Sequence, residues 1–129
     1  MISLQKRKKT KNNYTIEMFY VPCLSSEEAT SLAQSLLEHQ LIACANMVPI
    51  NSMYRWHDQI QSDTECVMVA KTLPHLIDEV QIHIEKIHSY DIPCIVHFAV
   101  HTTSVYYEWI VKQVKEGKEN KENKTQLKK

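Results

Sequence analysis

Apolar and polar positions along this chain switch between a period of two and a period near 3.6, and the switches mark the elements. Tyr14 to Val21 is rich in aromatic and β-branched residues and is closed by Pro22, which predicts a strand. Ser25 stands three residues before Glu28, a capping-box spacing in which the serine accepts a free amide and the glutamate reaches back. Ala29, Leu32, Ala33, Leu36 and Leu37 follow at helical spacing, so a helix should run to about His39.

Leu41 to Trp56 is a long apolar run containing Asn46 and Pro49 and ending on an aromatic pair, as suits a strand buried on both faces and bent near the proline. A strand of that length can reach beyond its own sheet to another subunit. His57, Asp58 and Gln59 should form a turn, with Asp58 left-handed, because the single glycine, Gly117, is far away. Glu65 to Thr72 returns, and Thr72 with Pro74 two positions on predicts the start of a second helix.

Leu76, Ile77, Val80, Ile84 and Ile87 form the stripe of that helix, which ends near His88. Asp91 to Val100 predicts a fourth strand, with Pro93 near its beginning or on an edge. Thr103 or Ser104 caps a last helix to about Lys115, with Val105, Trp109, Ile110 and Val114 inward and Gly117 as its stop. The order is that of an α+β, ferredoxin-like βαββαβ domain with an added C-terminal helix and a long hairpin between strands two and three. Helices on one face would leave the other open, and its apolar strands call for cover by a second subunit.

Charge divides the chain although the total is zero. Residues 1–13 hold five bases and no acid, and residues 112–129 hold seven lysines against three glutamates, so the intervening body carries three bases against twelve acids. The expected organisation is one folded domain over 14–115 between basic disordered tails at 1–13 and 116–129. An acidic body repels phosphate, which argues against nucleic acid as the partner. The basic N-terminus lacks an apolar signal-peptide core, and no uncharged apolar run approaches the roughly 18 residues of a membrane span, so a cytoplasmic protein without membrane contact is expected.

Catalytic motifs are missing: there is no GxSxG, no HExxH and no glycine-rich phosphate loop, so the reading is not of an enzyme. Cys23, Cys44, Cys66 and Cys94 are widely spaced in apolar, strand-like settings and contain no CxxC pair. They read as small buried hydrophobes in a reducing compartment, with Cys23, at a strand end, the candidate for metal ligation.

An ordered set of residues carries a resemblance. Cys23, Leu41-Ile-Ala-Cys-Ala-Asn46, Tyr54-Arg-Trp56, Asp63-Thr-Glu65, Lys71-Thr72, His88-Ser-Tyr90 with Asp91 and Pro93, and Tyr106-Tyr-Glu-Trp109 together resemble the CutA family of divalent-cation tolerance proteins over roughly residues 16–114. The resemblance implies a homotrimer, similar in architecture to PII signalling proteins, that binds divalent metal, copper(II) among them, and contributes to metal tolerance. Carried over by position, it points to His88 and Cys23 as metal ligands. Ser89 stands where the family usually has proline, Asp58 where it often has glycine, and the strand-one cysteine has two alternative family positions, filled here by Val21 and Cys23.

The seven histidines fall in the acidic body, where carboxylates can recruit cations, yet no two of them form a local site. Glu65, Lys71 and Tyr90 are candidates for an inter-subunit cleft that fixes a small ligand, set against interface packing by the same residues and by Tyr54, Trp56, Tyr106 and Trp109. Two functions follow: a trimeric metal-tolerance protein, or a PII-like signalling or structural trimer whose clefts take a small ligand or a protein partner.

Overall fold

The structure, a computed structural model, describes residues 14–117. The predicted tail at 1–13 lies outside them, as does the other tail beyond Gly117. The elements are β1 (Thr15–Cys23), α1 (Ser26–Glu38), β2 (Cys44–Trp56), β3 (Gln59–Thr72), a 3-10 turn (Pro74–Leu76), α2 (Ile77–Ile87), β4 (Val96–His101) and α3 (Ser104–Gln113). One antiparallel sheet has the order β2-β3-β1-β4, so β2 and β4 are its edges. The α+β, ferredoxin-like arrangement read from the order of elements is present.

Register assigns the two faces, because opposed residues of an antiparallel pair project the same way. Phe19↔Ala70, Val21↔Met68 and Cys23↔Cys66 share the face that packs beneath α1 and α2. Leu32, Leu36, Leu76, Val80 and Ile84 close over them, and Phe19, Leu36, Met68 and Ile84 are wholly buried. Burial of each such side chain contributes about 1.5–3 kcal/mol. Ile87, the last member of the predicted stripe, is half exposed, since α2 ends there and its final turn runs past the sheet.

The other face carries α3 at one end. Tyr106 Oη lies 3.3 Å from Cys44 Sγ, the Lys71 ammonium sits 5.6 Å from the centre of the Tyr106 ring, and Tyr14 meets Tyr107. Ile110 and Val114 are buried as expected, but Val105 and Trp109 are exposed, because α3 turns only a narrow strip toward the sheet. Thr103 caps α3 by accepting the Tyr106 amide, and the helix stops at Gln113 before Gly117 is reached. Tyr20, Val48, Val96 and Phe98 remain as a half-exposed apolar band on this face.

The hairpin is longer than predicted. β2 passes through Pro49 without a break, and β3 begins at Gln59, so the two strands stay paired from Cys44↔Lys71 to Trp56↔Gln59. Both turn residues, His57 (φ 50°) and Asp58 (φ 62°), are left-handed, the conformation of a two-residue turn whose twist matches the strands. β1 supports β3 only as far as Cys23↔Cys66. Beyond that rung the ladder from Ile50↔Glu65 to the tip projects about 20 Å past the sheet.

Thr72 does not cap α2. Its side chain is fully buried and its hydroxyl donates to the Leu41 carbonyl at 2.6 Å, tying the loop after α1 to the end of β3. The helix instead starts through the 3-10 turn, and neither start has a side-chain cap. β4 is also shorter than predicted, because Pro93 keeps the preceding segment out of the ladder. Thr72→Val should strand the buried Leu41 carbonyl and cost about 1–3 kcal/mol in urea unfolding. A loss below about 0.5 kcal/mol would assign Thr72 no such role.

Candidate metal centre and adjoining cleft

Three elements converge where β1 ends. Cys23 is fully buried, and its thiol points to the Val21 carbonyl at 3.5 Å. Burial pushes the Cys23 thiol up to about 12, with the charges of Glu28, Cys66 and Glu65 adding to the effect. The next turn starts α1, where Ser25 Oγ accepts the Glu28 amide at 3.1 Å, as the capping-box spacing requires. The return contact differs from expectation: Glu28 Oε1 accepts the Leu24 amide at 2.8 Å, one residue before the cap.

That displacement frees the second carboxylate oxygen. Glu28 Oε2 accepts the Ser89 amide at 2.9 Å and so ties the start of α1 to the loop after α2. Burial raises the Glu28 carboxyl, but hydrogen bonds from Ser89 and from the Leu24 amide outweigh it and hold the group below its ordinary value.

His88 is the C-cap of α2. Its Nε2 lies 2.9 Å from the Pro22 carbonyl, which can only accept, while Nδ1 accepts the Tyr90 amide at 3.1 Å. The partners therefore call for a proton on Nε2 and a lone pair on Nδ1. One ligand atom from each of Cys23, Glu28 and His88 lies within 4.8 Å of the other two. Thiolate, carboxylate and imidazole make a donor set for a borderline cation such as zinc or copper. Ligation must replace a hydrogen bond at each donor and remove the Cys23 proton, so affinity should rise with pH.

The structure thus brings together the two metal candidates read from the sequence and adds Glu28. The capping-box spacing revealed Glu28 as a helix-start residue. Its second oxygen depends on the approach of Ser89, 61 residues away, which no local pattern encodes.

A cleft of about 430 Å³ opens beside this cluster, walled by Pro22, Tyr54, Trp56, Glu65, Tyr90 and Ile92. Tyr90 Oη donates to Glu65 Oε2 at 2.7 Å, and burial together with this bond pushes the Tyr90 phenol up. Tyr54 donates to Asp63 at the rim. Glu65 and Tyr90 are therefore adjacent, whereas Lys71 stands six residues along β3, about 20 Å away, over the Tyr106 ring.

The other histidines serve separate contacts. His39 and His83 meet with tilted rings, centres 4.7 Å apart, and both bond Ser35, a pairing of two helices that helical spacing alone did not suggest. His97 Nδ1 meets the buried Glu17 carboxylate at 2.6 Å.

The model of the CutA1 divalent ion tolerance protein family matches residues 17–113. The chain belongs to that family. The divalent-cation tolerance protein CutA of Archaeoglobus fulgidus is 41% identical over 76 residues, covering 59% of this chain and 74% of that protein. The chloroplastic protein CutA of Arabidopsis thaliana is 34% identical over 93 residues, covering 70% of this chain but only 51% of its own length. The chain thus spans about three-quarters of the archaeal relative and half of the plant one.

Among solved CutA structures, the periplasmic divalent cation tolerance protein CutA from Archaeoglobus fulgidus superposes with a TM-score of 0.76 at 34% identity, covering 78% of this chain and 99% of that one. CutA1 from Oryza sativa gives 0.76 at 30% identity, over 80% and 96%. Among the described residues, no helix is long and apolar enough to cross a membrane.

The depressed Glu28 carboxyl stabilises the fold above its unfolded-state value near 4.5, and this contribution is lost as pH falls through the lower folded-state value. In urea unfolding, wild type should exceed Glu28→Gln at pH 6, and the gap should shrink toward pH 3. A gap independent of pH would mean that the carboxylate charge does not contribute.

Proposed function

We propose that this CutA1-family chain is a cytosolic homotrimer that binds a divalent metal ion, copper(II) among the candidates, and contributes to divalent-cation tolerance. One observation carries the metal reading: Cys23, Glu28 and His88 present sulfur, oxygen and nitrogen donors within 4.8 Å of one another. Names of relatives support it, since several are called divalent-cation tolerance proteins. Four free cysteines suit a reducing compartment. The role is one of binding rather than catalysis.

Assembly is supported by the overhanging hairpin. Met53 is 74% exposed and Ile60 69%, on a ladder that has no third strand beside it among the described residues. A two-stranded hairpin is marginal in water, and β2 offers a free edge to a neighbour. Three copies closing around the hairpins would also cover the band at Tyr20 and Phe98.

A second reading is favoured by the cleft. Its volume and the Tyr90–Glu65 pair suit a small ligand, as in a PII-like signalling trimer whose hairpins complete the clefts or dock a protein partner.

Light scattering on a size-exclusion peak should give about three times the 15.1 kDa chain mass, and a 15 kDa species would remove the trimer. Calorimetric titration with copper(II) or zinc should show at least tenfold weaker binding for His88→Ala than for wild type. Unchanged affinity and stoichiometry would remove His88 from the site. A thermal shift with metabolites but none with any metal would favour the second reading.

A further inference from the structure

We infer that Cys66 is a further metal ligand at the Cys23 site, making it a two-thiolate centre for a thiophilic cation such as zinc, cadmium or copper(I). The inference rests on the metal reading of Cys23 and His88 and adds what that reading lacks, a second sulfur and hence a class of metal.

The ladder supplies the geometry. Cys23 and Cys66 are directly opposed in the β1–β3 register, so both side chains leave the same face of the sheet. Both are free thiols and both are buried, at 0% and 5% exposure. Opposed Cβ atoms stand about 4.5–5.5 Å apart. A tetrahedral ion bound at about 2.3 Å holds two sulfurs roughly 3.8 Å apart, a span that this pair can bridge. Cys66 is not among the atoms that lie within 4.8 Å of one another, so ligation requires its sulfur to swing toward Cys23.

The surroundings favour a cation over an empty pair of thiols. The Glu28 carboxylate beside Cys23 supplies a negative charge that a bound cation would neutralise. With Glu28 and His88 the set becomes two sulfurs, one oxygen and one nitrogen, enough to close a tetrahedral shell. Paired thiolates select zinc, cadmium and copper(I) over manganese or magnesium, whose preferred ligands are oxygens. The reaction balances as one metal cation, Zn2+, Cd2+ or Cu+, and two thiols giving a bis-thiolate complex and two protons, against one proton for Cys23 alone.

The test is a cadmium titration under reducing conditions of protein carrying Cys94→Ser, which removes the exposed thiol. The ultraviolet sulfur-to-cadmium band scales with the number of thiolates bound, and proton release is read in parallel. Cys66→Val, which preserves packing, should halve the band, lower proton release from two to one and weaken binding at least tenfold. Cys66→Ser supplies the same comparison should the valine variant fold poorly, judged by circular dichroism. Full band intensity and affinity without Cys66, with loss of the band on Cys23→Val, would overturn the inference and leave the Cys23–His88 reading standing. Absence of any sulfur-to-cadmium band in the parent protein would overturn both.

Discussion

The constraint on which the rest of this molecule depends is a mismatch of strand lengths. β3 has 14 residues and its partner β1 has nine, so the sheet supports only the half of β3 that runs from Cys66 to Thr72. The supported half builds the core, because its inward residues Met68 and Ala70 meet Val21 and Phe19 under two helices. The unsupported half has the same backbone pairing to β2 but, among the described residues, no third strand and no helix. Among the described residues Met53 and Ile60 of this half stay largely exposed, so the uncovered apolar surface falls on the hairpin and not on the helices.

The end of that support is also where the chemistry collects. Cys23↔Cys66 is the last rung that β1 contributes, and the chain leaves it through Leu24 and the start of α1. A strand end at a sheet boundary needs its backbone groups satisfied by something other than a ladder. Here Glu28 takes the Leu24 amide and His88 takes the Pro22 carbonyl, so the donors of the candidate metal centre are also the stitches that close the boundary. Every buried side-chain nitrogen or oxygen among the described residues has a partner. A metal at this point must therefore replace an existing network, and its net affinity reflects the difference between two well-satisfied states.

Local patterns revealed much of this. The Ser25–Glu28 spacing placed the first helix, the Leu32–Leu36 stripe its buried face, and the long run to Trp56 the outsized hairpin. Patterns failed where a residue's partner is distant in sequence. Thr72 resembled a cap because it precedes Pro74, yet the buried Leu41 carbonyl, 31 residues away, claims its hydroxyl. Val105 and Trp109 fitted an inward stripe, but the amount of α3 that touches the sheet is set by how it crosses, not by its own periodicity. Glu28 joins Cys23 and His88 only because the loop after α2 folds back onto the start of α1. The Cys23↔Cys66 opposition depends on register, which a one-residue slip would destroy and which no composition argument fixes.

The two candidate sites differ in what they require of assembly. Cys23, Glu28, His88 and Cys66 all come from one chain and sit at the supported end of the sheet, so a metal there needs no neighbour. The cleft shares Pro22 and Tyr90 with that region, but Tyr54 and Trp56 lie on the overhang, beyond the last rung that β1 contributes. A ligand in the cleft would therefore be coupled to oligomerisation by mass action, while the metal centre would be coupled to it only through the shared wall. That wall is short and rigid: the Pro22 carbonyl and the Tyr90 amide bind opposite nitrogens of one imidazole. Ligation through one nitrogen of His88 would displace the bond at that nitrogen, so His88 is the residue that joins the candidate metal centre to the wall of the cleft.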